Sequence, residues 1–216
     1  FFEILSNSID EAREGYGNKI TVTRYADHSI KVEDDGRGIP VDFNQRENRY
    51  NWELVYCELY AGGKYRTNEG FHYEYSLGLN GLGACATQYA SEFFDVVSMR
   101  DGYKYELHFE KGENIGGLSK TEMTGRRTGT IQHWKPDRDV FTEIEIPANN
   151  FHIILKRQAI VNAGVRFIFI DKAADETTEF YYPEGILGFV RELDGGKGIS
   201  EPFFFEGEGS GRDRAD

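Results

Sequence analysis

Cysteine and proline are scarce in this chain, with two of the first and five of the second among 216 residues. Cys57 and Cys85 form no C-x-x-C pair and are too few for a disulfide framework, which points to a reducing, cytoplasmic setting. Positive charge is short as well. Lys and Arg number 25 against 37 Asp and Glu, and the formal charge of -12 has the wrong sign for a surface that grips nucleic-acid phosphates unaided. Any nucleic-acid contact is therefore expected to belong to another part of the protein. No apolar run is long enough to cross a membrane. Strings of the form G-x-x-x-x-G-K-[ST] and G-x-S-x-G are missing, which excludes a P-loop and a hydrolase nucleophile elbow. The histidines at 28, 72, 108, 133 and 152 lack metal-ligand spacing and read as surface or core polar residues. An initiator Met and a signal peptide are lacking too, and the chain opens inside a predicted helix, so a piece of a longer protein is expected.

What is present is enough for a sizeable core, since 39% of residues are hydrophobic. Residues 1–14, "FFEILSNSIDEARE", carry Phe1, Leu5, Ile9 and Ala12 along one side and are stopped by "GYGN", predicting an amphipathic helix. "KITVTRY" and "SIKVED" alternate as two strands of a hairpin that runs directly into "DDGRGIP" at 34–40. A second helix is expected at 50–60, a lid at 62–76, and a glycine-rich turn "GLNGLG" entering a helix at 84–94. A hairpin around Asp101-Gly102, a strand at 128–136, a helix near 149–163, another hairpin and a short helix complete the order. This mixture predicts an α/β (α+β) two-layer sandwich with a mixed, mainly antiparallel sheet and helices on one face. Residues 1–200 are expected to form the domain, and 201–216 a linker or the start of a second domain.

Three constellations bear chemistry, and each has an ordinary alternative. Glu3, Asn7 and Asp10 or Glu11 share a helix face, either as a solvated surface or as a general base beside an amide oxygen able to hold Mg²⁺. "DDGRGIP" reads either as a turn or as a purine pocket. In the second case Asp34 accepts from an exocyclic amino group, Gly36 and Gly38 allow close approach, Ile39 gives an apolar contact and Pro40 fixes the exit. Arg37 either stacks on the rim or pairs with Glu11. Gly78, Leu79, Asn80, Gly81, Leu82 and Gly83 are turn geometry or, at a helix N-terminus and with Lys64 in reach, an anion cradle.

In chain order, E-x-x-x-N on a helix, D-x-G-x-G after a strand, and G-x-x-G-x-G entering a helix resemble the ATP-binding boxes of the GHKL ATPase superfamily. Through "EILSNSIDEA", "DDGRGIP", "AGGKY", "YSLGLNGLGA" and "TGT", the chain resembles the ATPase domains of type IIA topoisomerases from residue 1 to about 200. The resemblance implies a Bergerat-type fold, ATP and Mg²⁺ as ligands, and Asp34 on the adenine amino group with Gly38, Ile39 and Thr130 finishing the pocket. It implies Glu3 as the base that activates water, Asn7 as the magnesium ligand, Tyr73 against adenine, and Lys64 with the amides of 78–83 on the phosphates. Glu11, Arg37 and Arg100 match positions at a pocket mouth where coumarin-type inhibitors bind. Implied partners are a second copy, an A-type subunit, and DNA held by other domains. A dimerising arm and a phosphate-reaching lysine of the next domain have no counterpart here, so a monomeric fragment with slow hydrolysis is expected. Ser6 and Asn80 depart from the acidic residue and histidine common at those places. Histidine kinases, Hsp90-type chaperones and a binding module without turnover are the competing readings.

Overall fold

The computed structural model describes residues 1–59, 82–195, 197–203 and 205. Helix α1, Phe2–Arg13, places Ile4, Leu5, Ser8 and Ile9 inward and ends before Gly15, which takes a left-handed φ of +84°. Strands β1 (Lys19–Arg24) and β2 (Ile30–Asp34) follow, joined by a turn in which the Asp27 carboxylate accepts from the Ser29 N–H and hydroxyl. A small hairpin, β3 (Phe43–Asn44) and β4 (Arg49–Tyr50), leads into α2 (Asn51–Cys57), whose Glu53 side chain accepts from the Tyr50 N–H at the helix start. Chain order then gives α3 (Gly83–Tyr89), β5 (Ser91–Arg100), β6 (Tyr103–Glu110), β7 (Glu113–Asn114), β8 (Ser119–Glu122) and β9 (Gly129–Pro136). The last elements are α4 (Ala148–Val161), β10 (Arg166–Asp171), β11 (Glu176–Tyr181) and α5 (Gly185–Asp194).

The main sheet runs β11-β10-β1-β2-β9-β5-β6, with β7 and β8 both pairing with β6. Among the described residues only β1 with β10 is parallel; the other pairings are antiparallel, as the sequence predicts. Alternation along the strands sends Ile20, Val22, Ile30, Val32, Phe94, Val96, Trp134, Phe167 and Phe169 to one face. There they pack with Ile4, Leu5 and Ile9 of α1, Tyr56 of α2, and Phe151 and Leu155 of α4. The other face carries Lys31, Glu33, Asp95, His108 and His133, none of them fully buried. The helices thus form one layer and the sheet the other.

Two predicted helices are shorter than expected. The helix expected at 84–94 ends at Tyr89, because "SEFFDVV" alternates like a strand and pairs with β9 from Ser91 onward. The Ser91 hydroxyl donates to the Thr87 carbonyl and closes the helix. The helix expected at 50–60 stops at Cys57, with Glu58 already extended. The short strands β3, β4, β7 and β8 have no sequence signal of their own. The lid expected at 62–76 lies outside the described residues.

Candidate nucleotide site

Asp34 is the last residue of β2, where the strand leaves the sheet between α1 and the neighbouring β9. Its Oδ2 accepts from the Ser8 hydroxyl at 2.7 Å, and its Oδ1 accepts from the N–H groups of Gly36 at 3.0 Å and Thr130 at 3.1 Å. Burial pushes the Asp34 carboxyl up to about 6, outweighing the three hydrogen bonds that favour its charged form, and the nearby Glu11 charge adds to the rise. A carboxylate so placed accepts hydrogen bonds readily yet pays for its charge.

The rest of "DDGRGIP" is fixed piece by piece. The Asp35 carboxylate accepts from the N–H groups of Asn18 and Lys19, both at 2.9 Å, and latches the loop to the turn after α1. Arg37 does both things offered for it. Its guanidinium binds the Glu11 carboxylate through two nitrogens at 2.6 and 2.9 Å and lies 3.6 Å from the centre of the Tyr16 ring. Gly38 has a φ of +84°, and a Cβ there would meet the Met99 carbonyl oxygen at 2.6 Å, so both conformation and space require glycine. The Ile39 N–H donates to the Thr130 hydroxyl at 3.1 Å and its carbonyl accepts from the Ser98 hydroxyl at 2.7 Å. Ile39 also packs against the core, and Pro40 is half-buried beside it. Arg100 reaches the Gly38 carbonyl at 3.5 Å and pairs with Asp101.

Glu3 and Asn7 stand one turn apart on α1. The Glu3 carboxylate lies against the first turn of α3, close enough that a Cβ on Gly83 would come within 2.5 Å of its Oε2. Of the two acids that the helix periodicity offers, Glu11 belongs to the site rim whereas Asp10 is buried. Leu82 and Gly83 are described and open α3; Lys64, Tyr73, Gly78, Leu79, Asn80 and Gly81 lie outside the described residues. Among the described residues no group of three or more His, Cys, Asp and Glu side chains is arranged to hold a metal ion.

No protein-family model matches the chain. It is 36% identical over 196 residues to DNA gyrase B of Thermotoga maritima, covering 91% of this chain and 30% of that protein. With DNA topoisomerase IV B of Haemophilus influenzae it shares 33% identity over 214 residues, 99% of this chain and 33% of that protein. The 43K ATPase domain of Thermus thermophilus gyrase B, solved with an aminocoumarin, superposes with a TM-score of 0.76 at 30% identity, over 91% of this chain and 49% of that one. The homologues of this chain are the B subunits of DNA gyrase and topoisomerase IV. The ATP-binding domain of topoisomerase IV from Francisella tularensis, solved with a small-molecule inhibitor, agrees equally well, with a TM-score of 0.77 at 27% identity over 97% of this chain and 54% of that one. The chain spans about half of these two solved chains and no more than 33% of the two gyrase B and topoisomerase IV B relatives. The layered fold around Asp34 is that of gyrase B-type ATPase domains.

Sequence reasoning missed Ser8, Tyr16, Asp35 and Ser98. A signal existed for Ser8: it lies three and four residues from Leu5 and Ile4, on the apolar face, and a hydroxyl there needs a partner. Ser98 and Tyr16 enter only through pairings distant in sequence.

Proposed function

We propose that this chain binds ATP through Asp34 and belongs to an enzyme that couples ATP hydrolysis to DNA strand passage. The observation that carries the reading is the Asp34 carboxylate, half-buried and held by three donors beside Ile39 and Thr130. A purine amino group is a hydrogen-bond donor and suits an acceptor-only carboxylate, whereas the carbonyl of guanine at the same place would face it unfavourably. Glu3 takes the proton of the attacking water, one helical turn from Asn7. Mg²⁺ keeps several waters and takes substrate phosphates with one or two protein oxygens, so the Asn7 amide oxygen fits it without a carboxylate cluster. When bound, the ion neutralises phosphate charge. Lys64, Tyr73 and the 78–83 amides keep their proposed roles on phosphates and adenine from the resemblance alone.

The rim formed by Glu11, Arg37 and Arg100 is proposed to take coumarin-type inhibitors. Dimerisation, an A-type subunit and DNA contact are assigned to the complete enzyme, in keeping with the charge of -12 on this chain. Residues 1–200 are assigned to the ATPase domain and 201–216 to the connection onward. The deciding experiment is a calorimetric titration of the chain with a non-hydrolysable ATP analogue and Mg²⁺, beside its guanine counterpart. Binding of the adenine nucleotide alone is expected; a folded chain that binds neither overturns the proposal.

A further inference from the structure

We propose that Ser8 is a positioning residue for adenine recognition, its hydroxyl donating to Asp34 Oδ2 so that the half-buried carboxylate stays a fixed, acceptor-only partner. The inference rests on the nucleotide reading above and names a residue that reading does not need. Ser8 is only 3% exposed, on the core side of α1, and its hydroxyl donates over 2.7 Å to Asp34. The two oxygens of Asp34 are served differently. Oδ1 is held by two backbone N–H groups that no side-chain substitution removes, while Oδ2 depends on Ser8. A hydroxyl donor on one oxygen favours the charged form and fixes the plane of the carboxylate; without it, a proton competes for the same oxygen.

The surroundings of Asp34 set how that competition resolves. From α1 come Ser8 and the Glu11 carboxylate, the latter neutralised by Arg37; from β9 comes the Thr130 N–H; and from its own loop come Asp35 and the Gly36 N–H. A cleft on the other side is shared with Lys19, Thr21, Glu33, Arg127 and Thr128. Among these neighbours Ser8 is the one side-chain hydroxyl bonded to the carboxylate. The burial that pushes Asp34 up to about 6 leaves it close enough to neutrality for one hydrogen bond to matter at working pH.

The test is the pH profile of nucleotide affinity from pH 5.5 to 9, measured by calorimetry with a non-hydrolysable ATP analogue for the parent and Ser8→Ala. Phosphate titration is common to both proteins and cancels in the comparison. The midpoint of the acid-side loss of binding is expected to rise by about one to two pH units in Ser8→Ala, the value of one hydrogen bond to a charged group. Affinity should then fall by about two- to tenfold near pH 7 and recover towards the parent value at pH 9. Ser8→Cys, close in size with a weaker donor, should move the midpoint the same way by less, and serves if Ser8→Ala does not fold. An unshifted midpoint, or a loss of equal size at every pH, makes Ser8 a packing residue and overturns the inference while leaving the adenine site standing. A parent that binds no nucleotide at any pH removes the adenine site itself, and the role of Ser8 with it.

Discussion

Replacing Asp34 by asparagine should make the empty protein more stable and the nucleotide complex weaker. Burial raises the Asp34 carboxyl from 3.8 to about 6. At 1.36 kcal/mol per unit, such a rise is a penalty on the order of 3 kcal/mol for holding the charged form in the fold at neutral pH. The sign follows from proton binding: between about pH 4 and 6 the native state holds a proton that the unfolded chain has lost, so stability is present below pH 4 and falls as pH rises through 6. In Asp34→Asn the amide oxygen can still accept from Gly36 and Thr130, and its NH₂ can donate to Ser8, so the fold keeps its bonds without the charge. The empty variant should therefore melt higher at pH 7, by about 2–4 °C for each kcal/mol regained, with the difference from the parent vanishing below pH 4. Adenine-nucleotide affinity should drop by about one to two decades, the loss of a charge-assisted hydrogen bond. Differential scanning calorimetry across pH, paired with calorimetric titration at pH 7.5, reads both halves. A melting difference that is independent of pH would refute the burial penalty, and unchanged affinity would take Asp34 out of the adenine site.

Glu3→Gln in the full-length protein should leave ATP affinity near normal and lower turnover by about 10²–10⁴, since the amide keeps the shape but cannot take the proton; a loss under threefold in a steady-state assay would return Glu3 to the solvated face. Gly38→Ala forces a left-handed φ and a contact 2.6 Å from the Met99 carbonyl oxygen, so it should cost about 1–3 kcal/mol in denaturant unfolding and weaken nucleotide binding with it. His108 is held above its ordinary range by its hydrogen bond to Asp95, with Glu110 adding to it. A raised histidine contributes stability below its unfolded value of about 6.5 that is lost as pH rises, so the melting deficit of Asp95→Asn should shrink between pH 6 and 8; a deficit constant over that range would show the pair to be electrostatically silent.

Local patterns carried most of the fold. The alternation in "KITVTR" and "IKVED", the Asp101-Gly102 turn and the apolar stripe of α1 each specify their element within a few residues. What escaped was either too short to have a period, as with the two-residue β3, β4 and β7, or decided by competition. "ASEFF" can continue a helix or start a strand, and pairing with β9 settles it for the strand. In the candidate site, "DDGRGIP" was legible as one loop at the end of a strand, yet the division of labour within it was not. Nothing local says that Asp34 faces inward to three donors while Asp35 faces outward to latch the turn at Asn18 and Lys19.

That division follows from the sheet. The donors on Asp34 come from α1, from its own loop and from the first residues of β9, so the pocket exists only when all three are docked. The β2–β9 register, with Glu33 opposite Ile131, brings the Thr130 N–H onto Asp34 and the Thr130 hydroxyl onto Ile39. A slip of one residue would turn Thr130 to the open face and leave a half-buried carboxylate short of a donor. Recognition and register are thus coupled: the same hydrogen bonds that aim the carboxylate also penalise the wrong pairing of the strands that carry it. Side-chain substitutions at Thr130 leave its N–H on Asp34 and remove the hydroxyl that holds the Ile39 N–H, so they should weaken nucleotide binding with the strand pairing kept, whereas those at Glu3, outside this network, should separate chemistry from folding.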